Sequence, residues 1–214
     1  MKNTEPNSTS EIVYSNNKTE KFVKSILHLK YPFPYNGKSS LLLYGTYGTG
    51  KTTFTKLFCN EFEMALTKSN NIPIVNFVEC DNTDASNHLI KKLEKQTKFI
   101  SLNESNFHYY IFDEIDNLTE KGQKLLKTFL NKNNIICLLT TNYIYQIDKG
   151  LQDRCHLVNF NMSSNSIIQN RIKDIFKKNN LKAPSNLKLN KIIENSNGSW
   201  RNIMANTVLE LNQI

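Results

Sequence analysis

The sequence has few cysteines, and their spacing excludes two common ways of stabilising a small protein. The four cysteines, at positions 59, 80, 137 and 155, form no C-x-x-C pair, and no histidine lies at metal-ligand spacing from them. Neither a structural zinc site nor a disulfide framework is predicted, so a reducing compartment such as the cytoplasm is favoured. The sequence also lacks a signal peptide, an internal repeat and a hydrophobic run long enough to span a membrane.

Acidic residues are outnumbered by basic ones, 19 against 27, which gives a formal net charge of +8. This balance fits a polyanionic partner such as nucleic acid, and it fits a solvated basic surface equally well. A chain of 214 residues is long enough for one domain with a core of its own, or for one domain and a small satellite. The abundance of Asn, Lys and Ile is typical of an AT-rich genome, such as that of a phage acting in its host's cytoplasm.

Apolar segments alternate with helical patterns along most of the chain, which predicts a parallel α/β sheet flanked by helices. The predicted strands are residues 40–44, 72–78, 109–112, 135–140 and 155–160, and the helices among them are 18–30, 53–64, 85–98 and 119–131. Helical patterns alone follow residue 161, ending in a helix over 199–213 whose apolar side includes Leu211. We therefore expect a mobile tail at 1–11, a core domain at 12–161 and an all-helical lid at 162–214.

The segment after the first predicted strand has the composition of a phosphate-binding loop. Four residues separate Gly45 from Gly50, and Lys51 and Thr52 follow, which is the Walker A pattern. The glycines let backbone N–H groups turn towards the β- and γ-phosphates, where a Cβ atom would collide. Lys51 would add a positive charge, Thr52 would ligate Mg²⁺, and the following helix would favour an anion at its N-terminus. The predicted ATP-binding residues here are Gly45, Thr46, Tyr47, Gly48, Thr49, Gly50, Lys51, Thr52 and Thr53.

A second apolar strand ends in two acidic residues, Asp113 and Glu114, as in a Walker B motif. Asp113 would complete the Mg²⁺ site with Thr52, and Glu114 would polarise the attacking water as a general base. Two adjacent acids can also simply cap a strand, but the upstream Walker A loop favours the catalytic interpretation.

The next predicted strand ends at Asn142. Because catalytic groups of parallel sheets gather at the carboxyl ends of strands, its amide is expected beside the γ-phosphate, where it would orient water. An ordinary turn-forming asparagine is the alternative.

Two later segments complete a recognisable order of motifs: Leu151-Gln152-Asp153-Arg154-Cys155 and Gly198-Ser199-Trp200-Arg201-Asn202. With Walker A, Walker B and the strand-terminal asparagine before them, the sequence resembles the AAA+ ATPases over residues 12–214. Within these it is most similar to the small subunits of replication-factor-C-type sliding-clamp loaders, including the phage versions. The resemblance implies a P-loop core followed by a small helical lid. Because the chain ends after the lid, the collar domain of that family is not expected.

The resemblance also implies roles for particular residues. Asn142 matches the residue called sensor 1, and Arg201 matches the lid arginine called sensor 2. Arg154 matches an arginine finger that reaches the ATP site of a neighbouring subunit, although Asp153 replaces the serine that precedes it in the family. Either arginine has a structural alternative, a surface ion pair for Arg154 and a tether of the lid helix for Arg201.

Further residues are assigned to binding. Val13 and Tyr14 are placed in the nucleotide site, and four lysines of the predicted helix 85–98, which follows the second predicted strand, are placed against DNA. In the family that helix faces the DNA backbone, where lysines would make sequence-independent phosphate contacts. A solvated lysine face is an equally favoured interpretation. The four lysines are Lys91, Lys92, Lys95 and Lys98.

The function implied by the resemblance is ATP- and Mg²⁺-dependent loading of a sliding clamp onto primer–template DNA during replication. The expected partners are the clamp, DNA, and other loader subunits or further copies of this chain in a ring or spiral. The alternatives are an AAA+ helicase loader or initiator, a superfamily-3 helicase, and a nucleotide-binding scaffold without turnover. The intact Lys51 and Glu114 argue against a scaffold, and the Asp-Arg-Cys pattern argues against a superfamily-3 helicase.

Overall fold

The computed structural model describes residues 4–211, with the side chains of residues 4–210, and its centre is a five-stranded sheet. The strands are β1 (Ser40–Tyr44), β2 (Val75–Glu79), β3 (His108–Asp113), β4 (Ile135–Thr141) and β5 (Cys155–Asn159). All neighbouring pairs are parallel, in the order β2-β3-β4-β1-β5. This confirms the predicted parallel α/β fold.

Eight α-helices lie along the described residues. They are α1 (Asn17–Leu27), α2 (Lys51–Thr67), α3 (Asp84–Gln96), α4 (Glu120–Phe129), α5 (Lys149–Asp153), α6 (Asn165–Lys178), α7 (Asn186–Glu194) and α8 (Trp200–Leu211). Short 3-10 helices occur at Thr9–Glu11, Ile115–Asn117 and Ile144–Gln146.

Alternation along the central strands divides the core into two layers, because successive strand side chains point to opposite faces. Leu42 and Tyr110 belong to a buried cluster that includes residues of α3, α4 and α5. Leu41 and Tyr109 belong to a second cluster, which includes residues of α1 and α2 on the other face. Helices therefore cover both faces of the sheet, as continuous hydrophobic strands require.

The strand register gives the sheet two chemically different ends. At the end where the strands finish, which we call the carboxyl edge, Tyr44 pairs with Thr141, and Glu79 pairs with Asp113. At the opposite end, the amino edge, Ser40 pairs with Cys155. The loops that leave the carboxyl edge include the Walker A segment, whereas the residues just before Cys155 reach the amino edge.

The three C-terminal helices share a separate buried cluster, centred on Ile172, Leu189 and Ile203. Val13, Met162 and Trp200 pack against this cluster. The separate cluster fits the predicted lid. The side chain of Leu211, predicted on the apolar side of the last helix, lies outside the described residues.

The N-terminal residues differ from the mobile tail predicted for residues 1–11, of which residues 1–3 lie outside the described part. Thr9 is buried, and its N–H donates to Glu61 Oε1 at 2.7 Å. Glu11 forms ion pairs with two residues of α6, Arg171 and Lys178. The polar side chains that suggested a mobile segment instead contact α2, through Thr9, and α6, through Glu11.

Two further expectations concern cysteines and membranes. All four cysteines are buried free thiols. Among residues 4–211, no helix is both long enough and apolar enough to cross a membrane.

Candidate nucleotide site

The Walker A loop needs glycine at two positions because neighbouring atoms are too close for a side chain. A Cβ on Gly45, whose φ is +150°, would lie 2.8 Å from the backbone N of Asn161. A Cβ on Gly48, whose φ is +69°, would collide with Ser199 Oγ. Ser199 directly precedes α8, so the side chain of a lid residue packs against the backbone of the loop at this glycine.

Lys51 is the first residue of α2, and its side chain turns back towards the Walker A loop. Its Nζ donates to Gly45 O at 2.9 Å, Thr46 O at 2.8 Å and Asn142 Oδ1 at 2.8 Å. Burial lowers the pKa of Lys51 to about 8, although the carboxylates of Asp116, Asp113 and Glu114 act to raise it. A buried amine beside three carbonyl oxygens gains most from an anion, so this position suits a phosphate.

The residues predicted to hold Mg²⁺ are in direct contact. Thr52 Oγ1 donates to Asp113 Oδ1 and Oδ2 at 2.9 and 3.0 Å, and Thr140 Oγ1 donates to Asp113 Oδ1 at 2.6 Å. A hydroxyl and a carboxylate are hard oxygen donors, and Mg²⁺ in phosphate sites takes one or two such ligands with waters and phosphate oxygens. The donor set therefore fits Mg²⁺.

Glu114 directly follows β3 in a left-handed conformation, with φ 55° and ψ 52°. Its N–H donates to Thr140 Oγ1 at 2.9 Å, and its Oε2 accepts from Asn117 Nδ2 at 3.3 Å. A left-handed non-glycine residue costs about 1–3 kcal/mol and persists where its surroundings fix it. These contacts fix the turn that presents the carboxylate beside Asp113.

Asn142 is held at the end of β4 by a residue that the sequence did not single out. The Asn142 N–H donates to Asp116 Oδ1 at 3.2 Å, while its side chain accepts from Lys51. Asp116 and Thr140 are thus two site residues missed from the sequence. The signal for Asp116 was a third acid in Asp113-Glu114-Ile115-Asp116, and the signal for Thr140 was a hydroxyl two residues before the strand-terminal asparagine.

Together these residues line one polar cleft at the carboxyl edge. Arg201 from α8 also lines it, and its backbone N–H donates to Gly48 O at 3.1 Å. The cleft is lined by Tyr47, Gly48, Thr49, Gly50, Lys51, Thr52, Thr53, Asp113, Glu114, Thr140, Asn142 and Arg201. The backbone contact keeps Arg201 beside the loop, and its exposed guanidinium is close enough to the cleft to contact a bound triphosphate.

A second, more apolar pocket shares Thr49, Gly50 and Thr53 with that cleft. Val13 lines this second pocket, as do Ile12 and Trp200. Tyr14 does not: it is 6% exposed, donates to Thr9 O at 2.9 Å and contacts two core phenylalanines edge-on. The structure therefore places Tyr14 in the core behind the pocket, because its ring is needed to fill the space beside α2.

Arg154 lies at the other end of the sheet. It follows α5 and directly precedes Cys155, which pairs with the first residue of β1. Its Nε donates to Asn131 Oδ1 at 2.8 Å and its Nη1 to Gly150 O at 2.7 Å. These contacts hold the guanidinium at the amino edge, so it does not join the residues of its own chain's cleft.

The four predicted DNA-binding lysines are all exposed on or just beyond α3, whose buried side carries Ile90 and Leu93. Lys91, Lys92 and Lys95 share one helical face, and Lys98 lies after the end of the helix. The exposed basic face is compatible with either interpretation given above.

The model of the AAA family, described as the ATPase family associated with various cellular activities, matches residues 41–162, more than half of the chain. The chain belongs to this family, and it is a P-loop ATPase by fold and by motif.

Within this family, the chain is similar to subunits of replication factor C. Replication factor C small subunit 1 of Pyrobaculum aerophilum is 25% identical over 75% of this chain and 48% of its own length. Replication factor C subunit 3 of Saccharomyces cerevisiae is 28% identical over 77% of this chain and 47% of its own length. The predicted resemblance to clamp-loader small subunits is therefore confirmed, and the chain spans about half the length of the relatives it matches.

Solved structures support the fold alone. The Holliday junction branch migration motor RuvB of Thermotoga maritima superposes with a TM-score of 0.66, at 15% identity, over 95% of this chain and 63% of that one. C. elegans PCH-2 superposes with a TM-score of 0.57, at 16% identity, over 79% of this chain and 50% of that one.

Proposed function

We propose that this chain is an ATP-hydrolysing subunit that loads a sliding clamp onto primer–template DNA. ATP would bind across the two pockets, with its phosphates on Lys51 and its base in the pocket beside Val13. The loop leads directly into the N-terminus of α2, which favours the negatively charged phosphates. The apolar pocket favours the base. The similarity to replication factor C subunits supports replication as the setting.

Thr52 and Asp113 would hold Mg²⁺, which would neutralise charge on the β- and γ-phosphates. Asn142 would orient the attacking water, and Glu114 would accept its proton. Lys51 would exchange its three present acceptors for phosphate oxygens. Arg201 would contact the phosphates from the lid and so link nucleotide binding to the lid's position.

The observation that carries the assembly part of this proposal is the place of Arg154 at the amino edge. A guanidinium held by Asn131 and Gly150 at that edge would serve a nucleotide bound to a neighbouring subunit. Hydrolysis would then depend on assembly, because an arginine supplied in trans stabilises the transition-state charge.

The surface proposed to contact the clamp is the apolar loop, residues 97–107, which follows α3. Its side chains Phe99, Ile100 and Leu102 are 72%, 87% and 87% exposed. Rigid, exposed apolar side chains are typical anchors of protein interfaces.

Polar contacts fix the frame of this loop. Ser101 Oγ donates to Phe107 O at 2.8 Å, Asn103 Nδ2 donates to Ile74 O at 3.2 Å, and Ser105 N donates to Glu63 Oε1 at 3.0 Å. Glu63 is a buried residue of α2, the helix that starts at Lys51. The loop is therefore attached to the same helix that would hold the phosphates, which gives ATP a physical route to the proposed clamp contact.

The test is steady-state ATP hydrolysis, measured with and without primer–template DNA and the sliding clamp encoded by the same genome, in the presence of any partner subunits. We expect DNA and clamp together to stimulate turnover. The variant Ile100→Ser should lose the clamp-dependent part and keep the basal rate. Leu187→Ser, which removes an equally exposed leucine of the lid (77% exposed), should keep both.

Turnover that responds to DNA and is indifferent to the clamp would contradict clamp loading and favour a helicase loader. Unwinding of a forked duplex by the chain alone would favour a helicase. ATP binding without any hydrolysis would favour a scaffold.

A further inference from the structure

Residues 9–13, which we call the strap, connect the sheet domain to the C-terminal helices. At one end, Thr9 donates from its N–H and its Oγ1 to the carboxylate of Glu61 on α2. At the other end, Val13 packs against the apolar cluster of α6, α7 and α8, while Ile12 packs against the cluster beneath α2. The strap therefore has attachments on both sides of the nucleotide cleft.

Glu11 is the charged centre of the strap. Its carboxylate accepts from Arg171 Nη2 at 3.1 Å, from Lys178 Nζ and from the Asn7 N–H at 3.1 Å. The side chains of Glu11 and Arg171 are only 18% and 13% exposed. Across residues 4–211, the ion pairs that join the C-terminal helices to the rest of the chain all run through this carboxylate.

This ion-pair cluster lies beside the nucleotide cleft. Glu11, Val13 and Arg171 line the apolar pocket together with Thr49 and Gly50 of the Walker A loop. On α6, Ile172 follows Arg171 and belongs to the same buried cluster as Ile203 of α8. A change in the position of Arg171 would therefore move α8 as well, because the two helices share a packed core. On α8, the Arg201 N–H donates to Gly48 O.

We propose that Glu11 is a positioning residue for the ATPase reaction. Through Arg171 and Lys178 it holds α6, and with it α8, at the angle that keeps Arg201 on the Walker A loop and closes the apolar pocket. The inference rests on the proposed ATP site and adds a regulatory role to the strap. Loss of the carboxylate would lower the fraction of molecules with a closed lid, and apparent ATP affinity would fall by the same factor.

Lys178 gives the cleanest probe, because it contacts Glu11 and does not line the pocket. We would measure binding of a fluorescent ATP analogue in the presence of Mg²⁺ to the full chain and its variants. We expect Glu11→Ala to weaken ATP binding about fivefold, because it removes both ion pairs. Lys178→Ala should weaken it only about twofold, because Lys178 is half exposed and its ion pair is therefore weak. The double variant should bind no more weakly than Glu11→Ala alone, because both changes act through one carboxylate.

The control is Lys188→Ala, which breaks the Lys188–Glu210 ion pair within the C-terminal helices. It should leave ATP binding unchanged. Equal binding by wild type and Glu11→Ala, or fully additive effects of the two substitutions, would overturn the proposal. So would an effect of Lys188→Ala as large as that of Lys178→Ala.

A second measurement separates this proposal from the ATP site on which it rests. Spin labels on Lys124→Cys in α4 and Lys191→Cys in α7 report the distance between core and lid without nucleotide, and the four native cysteines are buried. We expect Glu11→Ala to broaden this distance distribution and Lys188→Ala to leave it unchanged. An unchanged distribution in Glu11→Ala would overturn the positioning role even if ATP binds. Failure of the wild type to bind ATP would overturn the proposed ATP site and the role of Glu11 in the reaction, whereas a broadened distribution would still show that Glu11 holds the C-terminal helices.

Discussion

The two ends of the sheet carry the side chains that the proposed function assigns to opposite halves of one active site. At the carboxyl edge, Lys51 donates to Asn142, and Thr52 donates to Asp113. The carboxylates of Asp113, Glu114 and Asp116 lie near the buried amine of Lys51. At the amino edge, Arg154 is held by two uncharged acceptors, Asn131 Oδ1 and Gly150 O. The first end is organised to receive an anion and a metal ion, whereas the second presents a positive charge outward.

This difference shows how, under the proposed function, the activity of a single fold would depend on assembly. Parallel strands bring every strand end of one kind to the same edge, so a residue at the start of β5 cannot join residues at the end of β1 in the same chain. Two copies, or a copy and a related subunit, placed edge to edge would unite the halves.

Removing the amino-edge half should have the largest effect. We expect Arg154→Ala to lower the ATP turnover of the assembled protein about 10³-fold, because an arginine finger has effects of this order or more on transition-state stability. ATP binding should change less than twofold, because Arg154 lies outside its own chain's cleft. Turnover and binding of a fluorescent ATP analogue, measured on the same preparation, check both statements.

Mixing two inactive variants gives the control for this prediction. Lys51→Ala lacks the phosphate contact and keeps Arg154, whereas Arg154→Ala has the reverse defect. A mixture should recover part of the activity if the halves combine between chains. No recovery, together with normal assembly of the mixture, would contradict the trans role of Arg154.

Removing Glu114, the proposed general base at the carboxyl edge, should have a smaller effect on turnover. We expect Glu114→Gln to lower turnover about 10²- to 10³-fold, because the amide cannot act as a base and general-base catalysis contributes factors of this size. ATP should still bind, since Lys51, Thr52 and Asp113 are unchanged. Glu120→Gln, at the exposed start of α4, is the matched control and should retain normal turnover.

The two edges should also differ in their response to pH. Lys51, with its pKa lowered to about 8 by burial, loses its proton above pH 8 in the free protein, whereas the guanidinium of Arg154 stays charged throughout the accessible range. Phosphate favours the charged amine, so the pKa of Lys51 rises when ATP binds. Affinity should be constant below pH 8 and fall up to tenfold per pH unit above it.

Calorimetric titrations at pH 8.5–9 in buffers of different ionisation enthalpy should detect uptake of about one proton on ATP binding. Lys51→Arg should abolish that uptake, whatever its affinity, because a guanidinium does not titrate there. Proton release, or an affinity independent of pH up to 9, would show that another group controls binding.

Much of the sheet could be predicted from the sequence, because its buried strands are continuous apolar runs. β1 was predicted at its observed bounds, and β4 within one residue. β2 was predicted to begin at Ile72 but begins at Val75, since Ile72 precedes Pro73 and is 80% exposed. α5 was missed because its five residues are too few for a helical period to be visible.

The candidate site could be predicted where a motif names the chemistry, as at Lys51 and Asp113. Asp116 and the strap were missed for a different reason. Asp116 acts on Asn142, which is 26 positions away, and Glu11 acts on Arg171, which is 160 positions away. Contacts of this kind depend on the tertiary arrangement, and neither local composition nor periodicity records them.

The smallest predicted effect concerns a bond that crosses the carboxyl edge itself. Tyr47 in the Walker A loop donates its O–H to the Tyr143 hydroxyl at 2.6 Å, one residue after Asn142. Both groups are accessible to water, so the bond should contribute about 1 kcal/mol or less to holding the two loops together. We expect Tyr47→Phe or Tyr143→Phe to raise the KM for ATP two- to threefold, and the double variant no further, since either change removes the same bond. Tyr145→Phe, which removes the hydroxyl of a ring that contacts Tyr143 edge-on, should leave KM unchanged. Equal effects of all three substitutions would mean that general surface polarity, and not this bond, couples the loop to Asn142.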